Sequence, residues 1–261
     1  MTVKIKTDLL VIGAGAGGLS VAAGAAQLGI KVVLLEGDKM GGDCLNYGCV
    51  PSKALIAFSN QRKPKKFNDA MGFVKDAINE IEPHDSEERF RSLGVNVIRE
   101  YGQFVNETTV AAGAYEIQSR RIVIATGVHT PVPDISGLSD VQYYTNQTIF
   151  DLTKKPEHLL VLGGGPVGVE LAQAFARLGV NVTIFEKRKL LSNFSREQVE
   201  ILRVSLVEDG VSLKEDTCVN NISKVGGKLV VQLTNDDKIT GSHLLVATGK
   251  KPNLQNLNIQ A

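Results

Sequence analysis

A 28-residue pattern occurs twice in this chain, at an offset of 150. Leu9 to Glu36 reads LLVIGAGAGGLSVAAGAAQLGIKVVLLE, and Leu159 to Glu186 reads LLVLGGGPVGVELAQAFARLGVNVTIFE. The copies align without a gap and share 12 of 28 positions, which marks a repeated unit rather than two similar apolar runs. Each copy has a short apolar run, a glycine-rich turn, an Ala/Leu-rich stretch of helical length ending at Leu-Gly, a β-branched run and a glutamate. That order is a βαβ unit. It predicts an α/β chain of two Rossmann-like domains, doubly wound and three-layered.

The glycines fall at Gly13, Gly15 and Gly18, and again at Gly163, Gly165 and Gly168, both as G-x-G-x-x-G. In this spacing the first glycine makes the strand-to-helix turn and the second lets a pyrophosphate approach the backbone. The third lets helix and strand pack closely, with the phosphates on the helix N-terminus. Glu36 and Glu186 close the second strands, where a carboxylate accepts hydrogen bonds from an adenosine ribose. One such fingerprint is weak evidence, and glycine-rich turns in an ordinary α/β sheet would produce it. Two, each between strand and helix with the glutamate in place, predict two bound dinucleotides.

A shorter echo follows each fingerprint. RIVIATG ends at Gly127 and HLLVATG ends at Gly249, each an apolar strand that closes on Ala-Thr-Gly. Residues 130–137, TPVPDISG, read as a linker that 145–158 continue into the second domain. Residues 60–92 read as helix with one solvated face and a break at Pro83. Residues 211–239 alternate, with turns at Gly226-Gly227 and Asn235-Asp236, and predict a small antiparallel excursion of the second domain.

The 261 residues suffice for two ordinary domains. Net charge is +1 with no basic stripe, so neither nucleic acid nor a membrane surface is an expected partner. MTVKIK before an apolar run imitates a secretory leader, but Asp8 breaks the join and the glycines obey the fingerprint. No uninterrupted apolar stretch has the length of a bilayer span. A cytoplasmic location is expected, where a structural disulfide is unusual and a transient catalytic one is not.

GGDCLNYGCVPSK, residues 41–53, sets Cys44 and Cys49 between glycines. Zinc would need more ligands; the third cysteine, Cys218, is distant and no histidine lies near Cys44, so no metal site is expected. An inert buried pair of thiols is the plain alternative. A redox pair fits better. Four intervening residues allow closure within one loop, and the helix that opens at CVPSKALIAF would lower a thiol pKa at its N-terminus.

GGDCLNYGCVPSK resembles the active-site signature of the class I pyridine nucleotide-disulfide oxidoreductases, the family of dihydrolipoyl dehydrogenase, glutathione reductase and mercuric reductase. The order of fingerprint, C-x-x-x-x-C, Ala-Thr-Gly, second fingerprint and second Ala-Thr-Gly with KKPN matches over nearly the whole chain. The resemblance implies FAD on the first fingerprint and NAD on the second. It makes Cys49 the thiol that contacts the flavin and Cys44 the interchange thiol. Lys53 matches the lysine beside the flavin, and Glu170 the glutamate that pairs with it. Gly42, Gly102, Thr126 and Gly127 match FAD-side positions, and Val219 and Gly249 match positions lining the NAD pocket. Glu186 would repel a 2′-phosphate, which favours NAD over NADP, although Lys187 and Arg188 follow it.

Under this resemblance residues 1–150 form the FAD-binding domain with the cysteine pair, 151–252 the NAD(P)-binding domain, and 253–261 the return to the first. The implied activity is NAD(P)H-dependent exchange with a disulfide or thiol substrate, dihydrolipoyl dehydrogenase-like and lipoamide-like. A mercuric reductase-like enzyme and a nucleotide-binding fragment without turnover are the alternatives. VPSK rather than VPKK separates the chain from glutathione reductases, and Asp43 and Tyr47 stand where dihydrolipoyl dehydrogenases commonly carry Thr and Val. The family's dimerisation domain, with its His-Glu pair, is absent from these residues. The expectation is therefore a fragment, monomeric and poor in turnover, of a homodimeric parent. His84, His129, His158 and His243 are expected to be ordinary edge or surface residues.

Overall fold

The computed structural model describes residues 2–61 and 66–260. The positions 62–65 of the expected 60–92 helical stretch, and Ala261 at the end of the expected 253–261 return, lie outside the described residues. The chain forms two compact units. One comprises Met1–Val50, Asp76–His129 and Lys251–Ala261, and the other Pro51–Lys75 and Thr130–Lys250. Residues 51–75, grouped by sequence with the first nucleotide domain, pack with the second unit.

In the first unit, β1 (Val3–Ile12) leads through α1 (Ala16–Gln27) to β2 (Val32–Leu35). In chain order the short α2 (Gly42–Asn46) and α3 (Cys49–Ser59) follow, then α4 (Phe67–Ile81), a 3-10 turn at Glu82–Asp85 and α5 (Glu87–Ser92), with α3 from Pro51 and α4 as far as Lys75 belonging to the second unit. The buried residues Phe67, Ala70, Met71 and Val74 of α4 fall at i, i+3, i+4 and i+7, one face of a helix. Pro83 lies in the 3-10 turn, and Ser86 caps α5 by accepting a hydrogen bond from the Arg89 backbone N–H at 3.2 Å. The break at Pro83 is where the sequence puts it.

The strands β3 (Asn96–Ile98), β4 (Gln103–Asn106), β5 (Thr109–Ala112) and β6 (Tyr115–Ile124) complete a six-stranded sheet of order β3-β2-β1-β6-β5-β4. Its first four strands are parallel, while β5 and β4 run antiparallel. Alternate residues serve opposite faces. Val11, Val32 and Leu34 meet Leu19 and Ala22 of α1 and Phe90 of α5. Leu10, Ile12, Val33 and Leu35 meet Val110, Ala112 and Leu257. On that face the partners come from β5 of the same sheet and from Leu257 of the returning chain. A two-residue pairing of β7 (Val128–His129) with β15 (Lys251–Pro252) ties that return down.

The second unit repeats the plan. β8 (His158–Leu162), α6 (Pro166–Arg177), β9 (Asn181–Phe185), α7 (Arg196–Glu208), β10 (Val211–Lys214) and β14 (His243–Val246) give a parallel sheet of order β10-β9-β8-β14. Between β10 and β14, strands β11 (Val219–Val225), β12 (Lys228–Leu233) and β13 (Lys238–Gly241) form a separate antiparallel sheet. Ile222, Leu229, Val231 and Leu233 of that sheet bury Leu160, Leu162 and Phe185. The predicted excursion is present, but its first four residues, Val211–Lys214, pair parallel with β9 and belong to the main sheet. Residues 130–137 pack closely on the rest of the second unit. A Cβ on Gly137 (φ +74°) would lie 2.1 Å from the Ile222 carbonyl oxygen, so this segment packs on β11.

Candidate functional site

Each fingerprint closes on its own Ala-Thr-Gly. Gly13 has φ +105° and Gly163 φ +108°, a region other residues rarely enter. A Cβ on Gly13 would fall 2.4 Å from the Ala125 carbonyl oxygen, and one on Gly163 would fall 2.5 Å from that of Ala247. The third glycines pack inward. A Cβ on Gly18 would lie 1.8 Å from the Gly13 oxygen, and one on Gly168 would lie 2.1 Å from the Gly163 oxygen. The second glycines differ. A Cβ on Gly165 would meet nothing within 4 Å, and one on Gly15 would meet only the Gly42 Cα at 3.8 Å. Both second glycines are helix N-caps without a side-chain cap. Uncapped N–H groups and an open approach suit a pyrophosphate at each helix start.

The glutamates are held in the same way in both units. Glu36 Oε2 accepts from the Ala14 N–H at 2.6 Å and Oε1 from the Asp38 N–H at 2.7 Å. Glu186 Oε2 accepts from the Gly164 N–H at 2.7 Å and Oε1 from the Arg188 N–H at 3.0 Å. Each carboxylate therefore braces the glycine loop against the end of the second strand. Sequence reading anticipated a ribose partner for these groups, not this backbone bracing.

In the first unit the cysteine loop stacks on the glycine turn. Gly41 (φ +81°) bridges Gly15, and its N–H donates to the Ala14 carbonyl at 2.9 Å. A Cβ on Gly42 would lie 2.6 Å from the Gly15 Cα. Position 42 needs glycine for backbone contact, and that contact carries α2 and Cys44 onto the fingerprint. Cys44 is half-buried and Cys49, the first residue of α3, is exposed; both are thiols, with a hydrogen bond between them. Burial pushes the Cys44 thiol up to about 11, helped by that hydrogen bond and the charge of Cys49, with the Asp85 carboxylate adding to it. Asp85 is itself held above its usual range by burial. Among the described residues no cluster of His, Cys, Asp or Glu could hold a metal.

In the second unit Lys53 Nζ donates to Glu170 Oε1 at 2.7 Å. Beside this pair a cavity of about 400 Å³ runs along α6, lined by Pro166, Val169, Glu170, Leu191, Phe194 and Leu202 among others. Leu191 adopts φ +48° at the position that the repeat aligns with Gly41. Gly249 (φ +135°) has open space around it, and Val219 begins β11, half-buried and paired with Leu233.

Asn253 of KKPN has no role evident in the sequence. Its side chain donates to the Thr126 carbonyl at 2.9 Å, Thr126 Oγ1 donates to its carbonyl at 2.7 Å, and its N–H donates to the Gly127 carbonyl at 3.1 Å. His129 Nδ1 lies 2.6 Å from Asn253 Oδ1. The motif thus knots the returning chain onto Ala-Thr-Gly. Gly102 is buried, and a Cβ there would lie 2.8 Å from Leu35 Cδ1 and 3.0 Å from Val110 Cγ1.

The profile of the family described as pyridine nucleotide-disulphide oxidoreductase matches residues 7–261. The chain belongs to that family. It is 32% identical to a mercuric reductase of Lysinibacillus sphaericus over 97% of this chain and 50% of the relative. It is 28% identical to a dihydrolipoyl dehydrogenase of Staphylococcus aureus over 98% of this chain and 59% of the relative. The solved structure of the HOCl-induced flavoprotein disulfide reductase RclA from Escherichia coli superposes with a TM-score of 0.89 at 28% identity, covering 97% of this chain and 59% of that one. The chain thus spans about half the length of the curated relatives it matches. Members of this oxidoreductase family use FAD with NAD(P)H as electron donor. No helix among the described residues is long and apolar enough to cross a membrane.

Proposed function

We propose that this chain holds FAD on the first fingerprint and NAD on the second, and that Cys44 and Cys49 exchange electrons with a disulfide or thiol substrate. The observation that carries the reading is the stacking of Gly42 on Gly15, which places the dithiol loop against the first glycine turn. Gly13, Gly15 and Gly18 would receive the FAD pyrophosphate and Glu36 its ribose, with Gly102, Thr126 and Gly127 along the same strand ends. Gly163, Gly165, Gly168 and Glu186 would do so for NAD, with Val219 and Gly249 at the margins and the apolar cavity beside α6 for an uncharged ring. Bound flavin supplies the two-electron relay between reduced nicotinamide and the thiols.

The residues of the chain do the rest. Cys49, exposed at the start of α3, is offered as the electron-accepting thiol and Cys44 as the one that attacks substrate. An attacking thiol must lose its proton, and the Cys44 proton is held tightly. A base beside it is therefore required, and the family resemblance assigns that base to the His-Glu pair of a dimerisation domain in a homodimeric, cytoplasmic parent. Glu170 holds the Lys53 ammonium in place. Glu186 disfavours a 2′-phosphate and so supports NAD, since its charge is fixed on the glycine loop. The raised Cys44 thiol favours a second reading, a nucleotide-binding unit without turnover. Lipoamide-like disulfides and mercuric ion are the competing acceptors.

The test is a thiol count. The chain has 3 cysteines, so the oxidised protein quenched in denaturant should show one titratable thiol, and anaerobic NADH in the presence of FAD should raise that to three. A count that NADH leaves unchanged overturns the redox reading, and protein that keeps no flavin through ultrafiltration overturns the first cofactor assignment.

A further inference from the structure

The 3-10 turn at Glu82–Asp85 runs into α5 through Pro83-His84-Asp85-Ser86, far from the cysteine loop in sequence but in the same compact unit. This turn is pinned at several points. Ser86 Oγ donates to the Pro83 carbonyl at 2.8 Å and accepts from the Arg89 N–H at 3.2 Å. The Arg89 guanidinium donates to the His84 carbonyl, and Phe90 is buried in the cluster that holds Leu19 and Ala22 of α1. His84 is exposed, whereas Asp85 is half-buried, and its carboxylate accepts no hydrogen bond among the described residues. Drawing a carboxylate out of water without a donor carries a desolvation cost, and carboxylates in such surroundings gather at functional sites.

The group that Asp85 reaches is Cys44. After burial and Cys49, Asp85 is what acts on that thiol, and it does so as a negative charge. Arg89 and His84 offset part of the Asp85 charge, yet neither ranks with Asp85 in its effect on Cys44. We propose that Asp85 is a specificity-determining residue: its carboxylate, held by the pinned turn within electrostatic reach of Cys44, selects disulfides whose arms are cationic or uncharged and rejects carboxylate-bearing ones. The inference rests on the reading that Cys44 attacks substrate. In that attack the Cys44 thiolate forms a bond to one sulfur of the disulfide, the disulfide's own S–S bond breaks, and its other half leaves as a thiolate that takes a proton from solvent. A charge on the arms is brought toward the Asp85 carboxylate and is attracted or repelled there. Both acceptors weighed above, an uncharged lipoamide-like disulfide and a mercuric cation, pass this filter.

Exchange rates at Cys44 with cystamine, a dication, and dithiodipropionate, a dianion, test this. The rate ratio of the two reagents is independent of how tightly the thiol holds its proton, because one thiolate attacks both. The reduced Cys49→Ser chain, in which a mixed disulfide on Cys44 persists, is reacted at low ionic strength and neutral pH and read by peptide mass spectrometry. Cys218, in the second unit, is the internal reference. Adding Asp85→Asn should lower the cystamine-to-dithiodipropionate ratio at Cys44 about fivefold, the scale of one unit charge at partly screened range. The ratio at Cys218 should not move, and Asp85→Glu, which keeps the charge, should hold the original ratio at Cys44. An unchanged ratio in Asp85→Asn overturns the filter and leaves Cys44 as the attacking thiol, and so does an equal fall at Cys218 or in Asp85→Glu. Failure of either reagent to label Cys44 overturns both.

Discussion

The two halves of the repeat are alike where backbone geometry is at stake and unlike where a ligand or a reaction would be served. Gly13 and Gly163 share a positive φ and the same close approach to an Ala-Thr-Gly carbonyl. Glu36 and Glu186 accept from equivalent N–H groups, and Gly41 and Leu191 both donate to the loop carbonyl, at 2.9 and 3.0 Å. Among the departures are Gly41-Gly42 against Leu191-Ser192, Gly37 against Lys187, and Ser20 against Glu170. The first half spends its glycines on seating a dithiol loop and, at Gly37, the ring of Tyr101. The second half carries Lys187, Leu191 and Ser192 at the same positions, with Leu191 in a left-handed backbone conformation lining the cavity beside α6.

The strongest way to break this comparison is at the shared glycines. Gly13→Ala and Gly163→Ala should each destabilise their unit by about 3 kcal/mol or more, because positive-φ strain and overpacking add. Gly15→Ala and Gly165→Ala should cost less than about 1 kcal/mol, since these N-caps have room for a methyl group, yet should lose dinucleotide binding. Denaturant midpoints and nucleotide titrations on the four variants read both effects. Equal stability loss at first and second glycines would refute the division of labour drawn from the geometry.

The cysteine loop has no counterpart in the second half, and its chemistry can be separated from its shape. With its thiol near 11 against an ordinary 9.0, Cys44 should carry roughly a hundredfold less thiolate than an ordinary cysteine at pH 8. Alkylation by iodoacetamide, followed by peptide mass spectrometry, should be correspondingly slow at Cys44 and should accelerate tenfold per pH unit up to about pH 11. A rate already saturated at pH 8 would show that burial does not control this thiol.

How much of this was legible in the residues follows from what each feature demands. The fingerprints were readable because Gly13 and Gly18 are required by backbone contacts local to one βαβ unit. The antiparallel excursion was readable because its alternation is a property of the strands themselves. The affiliation of Val211–Lys214 with the parallel sheet was not, since alternation says nothing about which strand is the partner. The rise of the Cys44 thiol was hidden for a similar reason. The helix dipole is visible in the sequence, while burial and the approach of Asp85 from a distant turn are tertiary facts. Asn253 stood in a quoted motif, but its hydrogen bonds reach back to Thr126, Gly127 and His129 across 124 residues or more.

The histidines of the second half sharpen the comparison at the next level of energy. His158 and His243 are both held below the usual histidine range by burial, and His158 Nε2 lies 2.9 Å from Thr183 Oγ1. A depressed histidine is neutral in the fold and takes up a proton more readily when unfolded. Its contribution is present above the unfolded value of 6.5 and is lost as pH falls below it. The second unit should therefore lose stability as pH falls below 6.5 toward 5. Thermal midpoints followed at both pH values should show His158→Asn flattening this dependence. An unchanged slope in that variant would remove His158 from the account.

The smallest expected effect lies at the position where the repeat departs from itself within the fingerprint helix. Ser20 turns its hydroxyl back onto the Ala16 carbonyl of its own helix at 2.7 Å, whereas Glu170 reaches out to Lys53. The Lys53 side chain is 65% exposed, so water screens the pair and its net worth to stability should be about 0.5 kcal/mol. Glu170→Ser makes the second repeat read like the first, with a hydroxyl able to bond within the helix as Ser20 does. The chemical denaturation midpoint should then shift almost imperceptibly. If the pair exists to hold the Lys53 ammonium for a bound flavin, the same variant should slow anaerobic flavin reduction by NADH at least tenfold, a far larger effect than its stability cost. A variant that loses stability heavily would mark the pair as a structural strut, and one that loses neither stability nor rate would mark the asymmetry at this position as incidental.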